Sequence, residues 1–181
     1  WAKRTIMTPP RMSAYIDKNM EIQRIIQNFA AIDDICWYSI DEGFVDLTES
    51  LSYFYPDKSL TPAQKLDAVS HDMQFAIYQQ TGLYATVGMS IGNPLLAKLA
   101  LDNAAKHTAN MRALWTYDTI AETVWQIPDL TDFWGISRRT AKRLRRLGIN
   151  TIYELAHTHP GVLKKEFGVL GVQFYCHANG I

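Results

Sequence analysis

Apolar residues recur at Met12, Tyr15, Ile16, Met20, Ile22, Ile25, Ile26 and Phe29, after a Pro9-Pro10 break. Steps of three and four predict a helix over 12–29 with one buried face. Ile35 to Ile40 and Phe44 to Leu47 are β-prone runs on either side of Asp41, Glu42 and Gly43. That pattern predicts a tight hairpin with an acidic pair at its bend. Thr61-Pro62 is a cap followed by proline at the first helical position, and Leu66, Val69, Met73 and Ile77 mark a helix stopped by Gly82. Leu83, Ala85, Val87, Met89 and Ile91 then alternate as a strand. Asn93-Pro94 repeats the cap, and Leu96, Leu99, Ala100 and Ala104 form the stripe of a further helix.

The predicted order is helix, strand, strand, helix, strand, helix. One more strand in front would make it β-α-β-β-α-β, the split βαβ arrangement of an α+β, ferredoxin-like fold with helices on one face of an antiparallel sheet. That strand would lie upstream of Trp1, and its absence would leave a gap or an unpaired edge. Ile127, Pro128 and Asp129 read as a linker. Beyond them short helical segments alternate with Gly135, Gly148, Gly161, Gly168 and Gly171. The expected division is therefore 1–127 and 128–181, the second part small and all-helical.

Composition places the chain among globular proteins: 48% of its 181 residues are apolar and 20% charged. Its apolar runs are far shorter than a membrane span, and Trp1, Ala2, Lys3, Arg4 and Thr5 do not begin a signal peptide, which predicts a cytoplasmic protein with no membrane partner. The only cysteines, Cys36 and Cys176, read as plain thiols in a reducing compartment. A start at Trp1 without an initiator Met predicts that something upstream has been removed. The formal net charge of zero conceals an asymmetry. Residues 1–127 hold ten Lys/Arg against fourteen Asp/Glu, a net −4, and residues 128–181 hold eight against four, a net +4. A basic part on an acidic body points to different partners for each.

Adjacent carboxylates at Asp41 and Glu42 repel, and a hard divalent cation such as Mg²⁺ would compensate while leaving positions for water and phosphate. A solvated acidic turn is the plainer alternative. Ser90, Ile91, Gly92 and Asn93 lead from a strand into a helix whose N-terminus suits an anion, with Lys98 in its first turns. Between Arg138 and Arg146 six of nine residues are basic and none is acidic, while Ala141, Leu144 and Leu147 keep an apolar stripe. The outer face of that helix is therefore cationic and suited to nucleic-acid phosphate. His157, His159, Cys176 and His177 have no standard zinc spacing, and Trp115, Trp125 and Trp134 read as packing anchors.

Tyr38 to Thr48, with Ser39-Ile40-Asp41-Glu42-Gly43-Phe44-Val45-Asp46, closely resembles the second catalytic motif of the Y-family (translesion) DNA polymerases. Asn93-Pro94-Leu95-Leu96-Ala97-Lys98-Leu99-Ala100 resembles the family's next motif, with Pro94 where many relatives carry lysine. Phe133-Trp134-Gly135-Ile136-Ser137 resembles a helix-hairpin-helix, with Ser137 in place of its usual second glycine. The resemblance spans nearly the whole chain and is closest to the UmuC-like bacterial branch, the ImpB/MucB/SamB family. It implies a palm lacking its first strand over 1–127 and a DNA-gripping thumb over 128–181. It also implies Asp41 and Glu42 as catalytic Mg²⁺ ligands, Asp46 as a strand support, and Lys98 as a contact to the triphosphate. Gly135, Ile136, Ser137, Arg138, Arg139, Lys142 and Arg143 would meet the DNA backbone without reading sequence.

The partners so implied are primer-template DNA and a deoxynucleoside triphosphate, with a sliding clamp and SOS accessory proteins reached through regions not in this chain. The first palm strand with another metal-binding Asp, the fingers and the little finger are missing, so this portion is not expected to catalyse alone. Two other readings remain. One is a non-catalytic DNA-binding module with a structural acidic hairpin, and the other is a nucleotide cyclase sharing the palm, which leaves the basic tail unexplained.

Overall fold

The computed structural model describes residues 4–181. Trp1, Ala2 and Lys3, on which the readings of the chain start and of a signal peptide partly rest, lie outside the described residues.

Side-chain caps set the helix boundaries most clearly at α3 (Pro62–Thr81). Thr61 Oγ1 accepts from Gln64 N at 3.3 Å while Gln64 Oε1 accepts from Thr61 N at 2.8 Å. Two amide donors with no partner inside the helix are thereby satisfied. Gly82 ends the helix at φ 71°, a conformation that penalises a side chain. The first helix, α1 (Met12–Ile26), has no such cap and stops three residues short of the expected end, where Asn28 Nδ2 takes the carbonyls of Arg24 and Ile25. Its predicted buried face is only half buried. Ile25 and Ile26 enter the core, whereas Met12, Tyr15, Ile16 and Met20 are exposed. The apolar cluster beneath α1, built from Leu47, Val69, Met73 and Ile77, is met from Ile22 onward.

The hairpin pairs β1 (Ile35–Trp37) with β2 (Gly43–Val45) antiparallel, Cys36 facing Phe44. Its connection is the five-residue loop 38–42, closed by Ser39 N donating to Glu42 O at 3.2 Å, rather than a two-residue bend. A short helix, α2 (Leu51–Phe54), follows and packs on α3. The next strand, β3 (Val87–Met89), is shorter than the alternation over 83–91 predicts. Side chains hold the preceding backbone instead: Thr81 Oγ1 accepts from Leu83 N and Gln74 Nε2 donates to Ala85 O at 2.7 Å. α4 (Pro94–Asn103) then leads to β4 (Arg112–Leu114), which lies parallel to β3 with Gly88 opposite Ala113. No sequence pattern flagged β4, which is three residues long. The mixed α+β order is thus present, but its strands form two separate pairs, β1-β2 and β3-β4, rather than one antiparallel sheet.

A second apolar cluster begins on α4 with Leu96, Leu99 and Ala100, passes through Val124, Leu130 and Phe133, and continues to Phe174 and Ala178. It supports α5 (Arg138–Arg146), α6 (Ile152–His157), α7 (Pro160–Phe167) and α8 (Val169–Ala178). α7 and α8 approach closely at Gly171, where a Cβ would stand 2.1 Å from Leu163 O. No helix among the described residues is long and apolar enough to cross a membrane.

Candidate active site and nucleic-acid interface

The position of α4 depends on Gly88. A Cβ there would lie 2.0 Å from Ala97 O and 2.4 Å from Leu101 N, so only glycine lets the helix rest on β3 at this depth. Lys98, next to that contact, is carried inward and is 6% exposed. The ordinary expectation for a helix lysine is a solvated ammonium. Here Nζ lies 2.9 Å from Glu42 Oε1, on the hairpin loop, and 3.0 Å from Asp102 Oδ2 one helical turn further on. Burial alone would lower the lysine pKa, but the hydrogen bonds and charges of Glu42 and Asp102 outweigh it and hold the value above that of a free lysine. Lys98 is a cation at any physiological pH.

The other side of Glu42 is also engaged. Tyr38 OH donates to Oε2 at 3.1 Å, and the Tyr38 ring leans on Phe44 with centroids 5.1 Å apart. Burial and the neighbouring carboxylate push the Tyr38 phenol pKa up, so it remains a donor. Asp41 is exposed and accepts from Ser39 Oγ at 2.7 Å, and Asn19 Nδ2 holds the Ile40 carbonyl from α1. Asp46 accepts from both the amide and the hydroxyl of Thr48, at 2.9 and 2.6 Å. Those hydrogen bonds depress its pKa and tie it to the turn after β2.

Asp41 and Glu42 offer hard oxygens of the kind a divalent cation takes while keeping most of its shell for water and phosphate. Among the described residues no group of three or more His, Cys, Asp or Glu is gathered as a metal site, so the pair fits such an ion as part of a coordination shell. Sequence reasoning singled out Lys98 but gave no chemical role to Tyr38, to Asp102 or to Lys106, whose Nζ lies 3.0 Å from Asp102 Oδ1. The i, i+4 spacing of Lys98, Asp102 and Lys106 was the available signal.

In the helical part Ser137 has φ −76° and ψ 165°, and its Oγ accepts from Thr140 N at 3.3 Å, so serine caps α5 where a glycine was expected. The left-handed turn falls on Gly135, at φ 90°. Ile136 is buried as a side chain, while Arg138, Arg139 and Lys142 are exposed. The cationic face is not wholly free. Arg143 pairs with Glu166 at 2.9 Å and stacks over Phe167 at 4.4 Å from the ring centroid, and Arg145 reaches Asp129 at 2.6 Å. Trp115 is buried and Trp125 Nε1 donates to Ala178 O, as packing anchors should. Trp134 departs from that expectation: it is exposed and lines a cleft of about 690 Å³ between the end of α4 and the loop before α5, with Asp102 and Gly135 on its walls. His157 leans against Tyr153 at an interplanar angle of 31°, and His159 Nδ1 accepts from Gly161 N as a helix cap.

Two family profiles match the chain: one described as the impB/mucB/samB family over residues 1–102, and one described as the IMS family HHH motif over residues 117–149. Among curated proteins, DNA polymerase IV 2 of Bacillus subtilis is 34% identical over 97% of this chain and 40% of its own length. The DNA repair protein homolog YobH of the same organism is 39% identical over 60% of this chain and 50% of its own. The chain thus spans about half or less of the length of these relatives. The crystal structure of DinB from Sulfolobus solfataricus superposes with a TM-score of 0.76 at 22% identity, covering 98% of this chain and 48% of that one, a likeness of fold.

Proposed function

The chain belongs to the impB/mucB/samB family, and from that premise we propose that it forms the later palm, 1–127, and the thumb, 128–181, of an error-prone translesion DNA polymerase. The observation that carries the reading is the 2.9 Å approach of Lys98 Nζ to Glu42, across 56 residues of sequence. The acid-bearing loop and the lysine-bearing helix meet in one place, as a nucleotidyl-transfer site requires. Asp41 and Glu42 would hold Mg²⁺, which when bound supplies charge neutralisation and alignment of the phosphates. Lys98 would face the triphosphate of a deoxynucleotide, its protonation secured by its carboxylate neighbours. Arg138, Arg139 and Lys142, with the backbone of Gly135 to Ser137 and with Arg143 once released from Glu166, would track the phosphates of primer-template DNA. In this reading the protein supplies position and charge, and the sequence is read by base pairing.

Primer extension with Mg²⁺ by the whole protein is expected to disappear in Asp41→Ala and Glu42→Ala. Undiminished extension by Asp41→Ala would overturn the proposal. One observation favours a second reading, a DNA-binding module with a structural hairpin: Glu42 is already satisfied, by Lys98 on one oxygen and Tyr38 on the other. DNA binding that is indifferent to Mg²⁺ and nucleotide, and that is lost when Arg138, Arg139, Lys142 and Arg143 are neutralised, would select it.

A further inference from the structure

We propose that Lys98 is the resident counter-cation of Glu42, which a divalent ion must displace, and that Asp102 is the positioning residue that keeps the displaced ammonium beside the acidic loop. The inference rests on the metal-binding reading above and adds to it a residue and an order of events.

An ammonium has three donors. Two acceptors of different kinds meet that of Lys98. Glu42 belongs to a loop that must change partners if it binds a metal. Asp102 lies one turn along the same helix and contacts Nζ through both oxygens, at 3.1 and 3.0 Å. Asp102 is itself held by Lys106, just past the end of α4, so it lies between two lysine ammoniums and cannot easily turn away. When a divalent cation takes Glu42, its charge repels the ammonium beside it. Without Asp102 the buried lysine would have to leave for solvent or stay unpaired, and an unpaired buried charge is costly. With Asp102 it keeps one partner and frees a donor for a phosphate oxygen. Tyr38 secures the other Glu42 oxygen at 3.1 Å, so the exchange is confined to Oε1.

The test is Mn²⁺ binding to the full chain, followed by electron paramagnetic resonance, in wild type, Lys98→Gln, Asp102→Asn, Asp102→Glu and the Lys98→Gln/Asp102→Asn double variant. Removing the competing ammonium is expected to tighten Mn²⁺ binding about tenfold, within the usual span of couplings between sites. Asp102→Asn, which leaves Lys98 entirely to Glu42, is expected to weaken it about fivefold, with Asp102→Glu restoring it. The Asp102→Asn effect should shrink in the Lys98→Gln background, since contacting residues that act through one another are not additive. ¹⁵N NMR of the Lys98 ammonium adds a direct readout: its signal should persist on addition of Mg²⁺ in wild type and be lost in Asp102→Asn. Mn²⁺ binding that ignores Lys98, or an Asp102→Asn loss of equal size in both backgrounds, overturns this inference alone. Absence of Mn²⁺ binding in every variant overturns the metal-binding reading and this inference with it. If Asp102→Asn does not fold, disappearance of the wild-type ammonium signal on adding Mg²⁺ is by itself sufficient to overturn it.

Discussion

Asn93 Nδ2 donates to Gly180 O at 2.6 Å, joining the first turn of α4 to the end of α8 across 87 residues. The same side chain uses Oδ1 to cap α4 through Leu95 N and Leu96 N, at 2.9 and 3.2 Å. Asn93→Ala is therefore expected to cost about 2 kcal/mol, roughly half for the cap and half for the long-range bond. Asn93→Asp, which keeps an acceptor but loses the donor, should recover the first half. Urea unfolding of the three proteins measures the split, and equal stability of Asn93→Ala and wild type would contradict the assignment.

The loop before α5 has one position that demands glycine and one that does not. Gly135, at φ 90° with nothing within 4 Å of a built Cβ, would suffer from backbone strain alone in Gly135→Ala, expected at about 1–2 kcal/mol. Ser137 serves through its hydroxyl, so Ser137→Ala should cost about 1 kcal/mol and Ser137→Gly only a few tenths. Thermal melts that rank these three in another order would show that the loop is held by something else.

On the cationic face, pairing predicts rank. Neutralising Arg138, Arg139 and Lys142, which are exposed, is expected to weaken duplex binding and to flatten the plot of log affinity against log salt by about 0.9 for each DNA phosphate left without its cation. Arg145→Ala, whose guanidinium is held by Asp129, should change the slope less. Fluorescence anisotropy titrations at several salt concentrations check this, and a larger slope change for Arg145 than for Arg138 would reverse the assignment.

His177 sits half-buried on α8, and burial holds its imidazole below the ordinary histidine pKa of 6.5. As pH falls the unfolded chain takes the proton first, so the contribution is complete above that value and is lost as pH drops through the lower, folded one. The melting temperature should therefore decline as pH drops below about 6.5, and His177→Gln should decline less over the same range. Identical slopes for the two proteins would remove His177 as the cause.

Most of the element order was legible because it is written in local chemistry. Caps at Thr61 and Asn93, the stop at Gly82 and the basic run over 138–146 act within a few residues, and α3, α4 and α5 begin where those signals place them. What escaped depends on distant neighbours. The apolar spacing of α1 correctly gave a helix but could not say that only its last turns meet a core. β4 has three residues and exists because β3 lies beside it. The acidic pair was visible, yet the burial of Lys98 follows from the missing side chain at Gly88, ten positions earlier, whose significance appears only when strand and helix touch. Trp134 was misread because an apolar neighbourhood in sequence does not guarantee one in space.

The two greasy clusters divide the working parts: the acidic loop stands on one, and Lys98 with the basic helix on the other. Ionic ties bridge the boundary, Lys98 to Glu42 and Arg112 to Asp67, and because both cations are withdrawn from solvent these ties feel dissolved electrolyte much less than surface pairs do. Bulk salt thus has little purchase on the join between its halves, whereas a charge placed directly beside Lys98 or Glu42 would change how firmly they grip one another.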